Sequence, residues 1–243
     1  MLNRHTVDDV RAIRSVLTKS DLLVRVNPIH KETVDYCGSE EEINQVIEAG
    51  ADIVMLPFFK TVEDVRRFIA YVGKRARVLL LMETPEAAER VDDIVGIPGV
   101  DEIHIGINDM SLGYGKKFMF ELLADGTVER LCMKFKSAGI PYGFGGVACV
   151  GAGALPADSI LKEHYRLGSS MVILSRSFCK ANHDTDLSRI RESFEIGVSC
   201  IRILEKEIAL HSIYFEENRE AVVRKVAAIT DQIELGTISR INE

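Results

Sequence analysis

The stretch RVLLLMETPEAAERVDDIVGIPGVDEIHIGINDMSL, residues 77–112, decides the fold. Two apolar runs, Val78–Met82 and Ile103–Ile107, are too short for helices and rich in Val, Ile and Leu, and each leads into an acid, Glu83 and Asp109. They read as two buried strands with carboxylates at their C-terminal ends. Between them, Thr84 and Pro85 are helix-start signals, apolar residues follow at helical spacing, and Gly96, Pro98 and Gly99 form the exit. The unit is strand, helix, strand, and such crossovers are overwhelmingly parallel and right-handed. Parallel geometry puts both strand ends on one side of the sheet, the side where ligands bind in parallel α/β folds, so Glu83 and Asp109 are expected to converge there.

Working outward, the same alternation continues. TVDDVRAIRSVL (6–17) opens the chain as a helix with Thr6 as its cap. LLVRV (22–26) is a strand, SEEEINQVIEAG (39–50) a helix with a Ser cap and Gly stop, DIVMLP (52–57) a strand, and TVEDVRRFIAYVG (61–73) a capped amphipathic helix. After residue 112 come a helical region at 117–138 interrupted at Asp125-Gly126, a strand at 139–146, a helix at 154–168 and a last strand at 171–177. From Asp186 onward the pattern is wholly helical.

Six strands, each followed by a helix, predict a parallel sheet with helices outside. Carboxylates at strand ends favour a TIM-type (β/α) barrel. Since a closed barrel needs eight strands and the chain begins on a helix, the expectation is a barrel lacking its first strand, first helix and second strand, with two extra C-terminal helices. A six-stranded open doubly wound sheet is the alternative, and strand order separates the two. The barrel is placed at residues 1–183 and the helical extension at 184–243.

Composition bounds the function. With 243 residues and 47% hydrophobic content the chain can bury a large core. Its net charge of −7 argues against a nucleic-acid or anionic membrane partner. Five cysteines without a CxxC pair signal neither a zinc site nor a disulfide framework. No apolar run approaches a membrane span and the N-terminus lacks a signal-peptide core, so a cytoplasmic location is expected.

The chemistry follows from the strand ends. Two carboxylates with no His or Cys at ligand spacing make a hard, oxygen-only site suited to Mg²⁺ or Mn²⁺. A 2-keto acid chelates such an ion, which stabilises the enolate formed when a carbon–carbon bond breaks. Arg25, at the end of its strand, adds a second cation beside that oxyanion. The structural readings beside these are a helix cap or salt bridge for Glu83 and Asp109, and an ion pair at the barrel mouth for Arg25. His30, in the loop after the Arg25 strand, is a candidate for proton transfer or an ordinary surface residue. Gly143, Gly145 and Gly146 cradle a phosphate or simply turn the chain; Arg176 meets an anionic substrate or a neighbouring Glu; His104, between two isoleucines, packs inside.

VRVNP (24–28), GADIVMLP (50–57), METPEAAE (82–89) and GVDEIHIGINDMSLGYG (99–115) together resemble the HpcH/HpaI aldolase and citrate lyase β-subunit family, a branch of the phosphoenolpyruvate/pyruvate-binding barrels, over residues 22–178. The resemblance implies a divalent-metal-dependent carbon–carbon lyase, a class II-type aldolase of pyruvate enolate chemistry. It matches Glu83 and Asp109 to the metal ligands, Arg25 to the arginine on the keto-acid oxygen, and the segment Gly106–Asp109, including Asn108, to the receiver of the substrate carboxylate. VRVNP is closer to the CoA-thioester lyases of the citrate and malyl-CoA type. Leu81 stands where the aldolase branch carries glutamine, which keeps open a degenerate, non-catalytic barrel. The two C-terminal helices leave a surplus apolar face, from which a homo-oligomer is expected, its last helices packed on a neighbouring subunit.

Overall fold

The structure is a computed structural model of the chain and describes residues 5–179, 186–210 and 215–239. Six strands, β1 (Leu23–Arg25), β2 (Ile53–Leu56), β3 (Arg77–Met82), β4 (Glu102–Ile105), β5 (Tyr142–Val147) and β6 (Met171–Leu174), form one sheet in the order β1-β2-β3-β4-β5-β6. The strand order never reverses. A doubly wound sheet reverses at a switch point, so the winding is that of a (β/α) barrel. Pairing is parallel, with Arg25 opposite Met55 and Met55 opposite Leu79.

The helices that separate the strands begin and end on local chemistry. Thr6 caps α1 (Val7–Val16) and Thr61 caps α3 (Val62–Val72), each accepting from the amide three residues on while that residue's carboxylate takes the Thr N–H. Gly73 closes α3 at φ 58°, a left-handed conformation that glycine adopts without cost. For α2 (Ser39–Glu48) the cap is Gly38, not Ser39; the Ser39 hydroxyl instead accepts the His30 amide at 2.8 Å. The single helix expected after Thr84 is two, α4 (Pro85–Glu89) and α5 (Val91–Val95), broken at Arg90. The Arg90 guanidinium donates to the Glu86 carbonyl at 2.8 Å, taking up an acceptor at the break.

The chain divides into two compact units, one holding the described residues up to 104 together with 137–141, the other the remainder. In the first, β2 is buried along its whole length and β3 from Val78 on, as strands covered on both faces must be. α2 supplies Ile43 and Val46 to this core, and α3 supplies Val65, Phe68 and Val72. β1 is different. Val24 packs with Val10, Leu22 and Ala49, while its neighbours Leu23 and Arg25, pointing the other way, are exposed.

In the second unit, α6 (Ile107–Gly113), α7 (Glu121–Ala124) and α8 (Thr127–Ser137) precede β5, and α9 (Ala157–Leu167) joins β5 to β6. The register of β5 against β6 shifts between Gly143 and Gly146, the mark of a bulge. Gly145 is at φ 57°, and a Cβ there would lie 2.6 Å from Ile107 Cδ1. Close approach of β5 to α6 therefore requires a glycine at this position. A 3₁₀ turn (Arg176–Phe178) follows β6 and contains the exposed Arg176.

Two long helices end the chain, α10 (Leu187–Leu210) and α11 (Phe215–Glu234). The apolar face of α11 does not wait for a neighbouring subunit: Val222, Val226 and Ile229 are buried, and the helix lies on α7 and α9 of its own unit. Burial of each such side chain is worth about 1.5–3 kcal/mol. Polar contacts fix its register. Asn218 Nδ2 donates to the buried Glu163 at 2.9 Å and to the Ser159 carbonyl at 3.1 Å, and Arg166 joins Glu163 to Glu129 with contacts of 2.8 Å.

Candidate active site

Glu83 follows β3 directly, and its carboxylate is buried with only 3% of the residue exposed. A buried carboxylate needs donors, and Oε1 receives the backbone N–H of Phe58 at 3.0 Å. Phe58 follows β2 after Pro57 and is held at φ 49°, a conformation uncommon outside glycine. Thr84 reinforces the same junction by donating its hydroxyl to the Phe59 carbonyl at 2.8 Å and accepting the Ala87 amide at 3.2 Å. The ends of β2 and β3 are thus pinned together around Glu83. Arg25, whose strand pairs with β2, is exposed.

The loop after β1 gathers around a second buried carboxylate. Glu42 in α2 accepts the Asn27 amide at 3.1 Å, the Asn27 side chain at 2.8 Å and the Tyr36 hydroxyl at 3.2 Å. His30 Nε2 lies 3.2 Å from the other oxygen, and its Nδ1 lies 3.1 Å from the Lys31 carbonyl. Burial, then the Glu42 charge, push the Tyr36 hydroxyl up to about 12 and the Cys37 thiol upward. Both are therefore neutral at neutral pH.

In the second unit, Gly106 precedes α6, and Asn108 and Asp109 lie in its first turn. Asp109 is half-buried. It does not end β4, which stops at Ile105; the apolar run read as strand continues into the helix because Ile107 packs as a helical core residue.

A model of the HpcH/HpaI aldolase/citrate lyase family matches residues 2–142, a span that contains every one of these side chains. The chain belongs to the HpcH/HpaI aldolase/citrate lyase family. Its fold is also that of solved family structures. It resembles the HpcH/HpaI aldolase of Desulfitobacterium hafniense DCB-2 (17% identity, 83% of this chain and 80% of that one, TM-score 0.58). It resembles RipC of Yersinia pestis (19%, 77% and 80%, 0.52) and a citrate lyase of Burkholderia xenovorans LB400 (15%, 92% and 79%, 0.53). A search of curated protein sequences found no match.

HpcH/HpaI membership raises the question of a divalent metal, and the residues fit one in kind. Asn108 Oδ1 is buried with no hydrogen-bond partner among the described residues, an acceptor that a cation or a donor would satisfy. Asp109 lies in the same helical turn, and both side chains offer oxygen, the donor that Mg²⁺ and Mn²⁺ prefer. Among the described residues no three or more His, Cys, Asp and Glu side chains gather as a cage.

Sequence reasoning passed over Glu42. Local spacing carried no signal for it: Ser39-x-x-Glu42 looks like a capping box, yet the cap is Gly38 and Glu42 accepts from Asn27 and Tyr36 of the preceding loop. His104 is buried, as expected of it. A cleft of about 610 Å³ between α9, β6 and α10, lined by Leu161, Tyr165, Met171 and Arg202 among others, contains none of the candidate site residues.

Proposed function

We propose that the chain is a divalent-metal-dependent lyase or aldolase acting on a 2-keto acid through a pyruvate-type enolate. The observation that carries this reading is the Glu83 carboxylate, buried at the end of β3 and held by the Phe58 amide, within a chain of the carbon–carbon lyase family. Glu83 and Asp109 would hold Mg²⁺ or Mn²⁺, which when bound supplies positive charge beside the keto oxygen. Arg25 orients the keto acid by its guanidinium and opposes the negative charge that develops on that oxygen. The segment Gly106, Asn108, Asp109 receives the substrate carboxylate. As the substrate's 4-hydroxyl gives up its proton to a base and becomes the aldehyde carbonyl, the C3–C4 bond breaks and its electron pair passes into the enolate; a proton returned to C3 then gives the keto acid. His30, steadied by Glu42, exchanges protons at its ring.

We further assign residues 1–183 to the barrel and 184–243 to a helical extension, a homo-oligomeric state, and work on small acids in the cytoplasm. No helix among the described residues is long and apolar enough to cross a membrane.

Exchange of pyruvate methyl protons with deuterated water tests the chemistry. Added Mg²⁺ or Mn²⁺ should stimulate exchange, and Glu83→Gln and Asp109→Asn should each abolish it while the circular dichroism spectrum stays native. Undiminished exchange in either variant overturns the assignment. Exchange confined to acyl-CoA substrates points to the thioester lyases instead, and none on either substrate class points to a non-catalytic barrel.

A further inference from the structure

Among the described residues only Phe58 and Lys74 hold a positive φ without being glycine, and Lys74 is an exposed residue in the turn just past α3. Phe58 is different. At φ 49° it carries a bulky ring in a conformation that sterics disfavour, and it does so at the end of β2 between Pro57 and Phe59, both buried. The left-handed turn aims its N–H at Glu83 Oε1, 3.0 Å away. That duty falls to the backbone alone, and glycine would perform it without strain. Nor does the core need the ring: Phe59 is 2% exposed and Phe58 47%. Backbone strain of this kind gathers at ligand-binding sites, and here the strained residue carries an aromatic side chain that neither the turn nor the core requires.

Covalent geometry bounds where the ring can be. Its centroid lies within ~5 Å of its own amide nitrogen, and so within about 8 Å of the Glu83 carboxylate. A keto acid seated at Glu83 reaches that far with the carbons beyond C3. The nearest cation in sequence, Lys60, is held by Glu86 at 3.0 Å. The loop after β1 leaves the sheet at the same end, since the Val26 amide donates to the Met55 carbonyl of β2 at 3.1 Å. It adds a second ring, Tyr36, which is 48% exposed and tethered through its hydroxyl to Glu42 and Asn27. Half-exposed rings at this end of the sheet favour an uncharged aromatic group over a charged one.

We propose that Phe58 selects the aldehyde half of the substrate, taking an aromatic group against its ring. The inference rests on the lyase reading above and names the substrate class of that site. In the direction of synthesis, a base takes a methyl proton from pyruvate and C3 of the resulting enolate bonds to the aldehyde carbon. The carbonyl π pair passes to oxygen, which takes a proton and becomes the 4-hydroxyl; with benzaldehyde the product is 4-hydroxy-2-oxo-4-phenylbutanoate.

Addition of pyruvate to benzaldehyde and to glycolaldehyde, each with Mg²⁺ or Mn²⁺, tests the selection, read as the ratio of the two kcat/KM values. The ratio should favour benzaldehyde in the wild-type chain, fall at least about tenfold in Phe58→Gly through a raised KM for benzaldehyde, and be kept in Phe58→Tyr. Glycine suits φ 49°, so Phe58→Gly folds, with a urea midpoint close to that of the wild type. A ring that merely props Glu83 would slow both aldehydes alike and leave the ratio unchanged. An unchanged ratio, or a wild-type chain that favours glycolaldehyde, overturns the role of Phe58 alone. So does a chain that exchanges pyruvate protons yet adds neither aldehyde. A chain that neither exchanges nor adds overturns the lyase reading, and this inference with it.

Discussion

The backbone N–H of Phe58 donates to Oε1 of Glu83 at 3.0 Å, joining the turn after β2 to the end of β3. This contact gives Glu83 two separable duties, one in the fold and one in the proposed chemistry. Glu83→Ala leaves the Phe58 amide without its acceptor and should cost about 1–3 kcal/mol in urea unfolding. Glu83→Gln keeps an acceptor oxygen and should cost less, yet lose metal-stimulated exchange as fully as the alanine variant. Equal stability of the two variants would show that the amide contact carries no weight.

Glu42 is the hub of the loop after β1. Glu42→Ala removes the acceptor of Asn27, Tyr36 and His30 together and should destabilise by about 3 kcal/mol or more, since several donors lose their partner at once. Glu42→Gln should preserve most of that stability. For catalysis the expectation differs: Glu42→Gln should change the pH profile of exchange through His30, and His30→Gln should slow exchange with stability nearly unchanged. A pH profile identical to wild type in Glu42→Gln would remove His30 from the proton path.

The ion network under α11 makes stability depend on pH in the acid range. The hydrogen bond from Arg166, with its charge and that of Arg219, holds the Glu129 carboxyl below its ordinary 4.5. The folded state thus favours the charged form, and the stabilisation is complete above about pH 4.5 and lost as pH falls through the folded value. Arg166→Gln should narrow the difference in urea midpoint between about pH 6 and about pH 3, with the loss falling at the higher pH. The measurement is a pair of unfolding curves for each chain; an unchanged difference would show that Glu129 gains nothing from Arg166.

The sequence by itself determined what depends on neighbours a few residues away. Thr6, Thr61 and Thr84 announce helix starts because a hydroxyl can reach only the amides of the next turn, and Gly73 announces an end because its backbone takes the left-handed conformation freely. The runs at 53–56 and 78–82 read as strands because covering both faces demands continuous apolar residues. The family motifs were legible for the same reason, each being a short segment around a strand end. Tertiary structure decided the rest. Whether Ile107 ends a strand or begins a helix depends on its packing against Gly145, nearly forty residues on, and that choice moves Asp109 from a strand end to a helix turn. Glu42 is a buried hub only because Asn27, His30 and Tyr36 fold back onto it. The α11 stripe, identical in sequence whether it meets its own chain or another, is covered by α7 and α9 because Asn218 finds Glu163 there. Burial is a property of the partner surface, and a local pattern records only that some partner is needed.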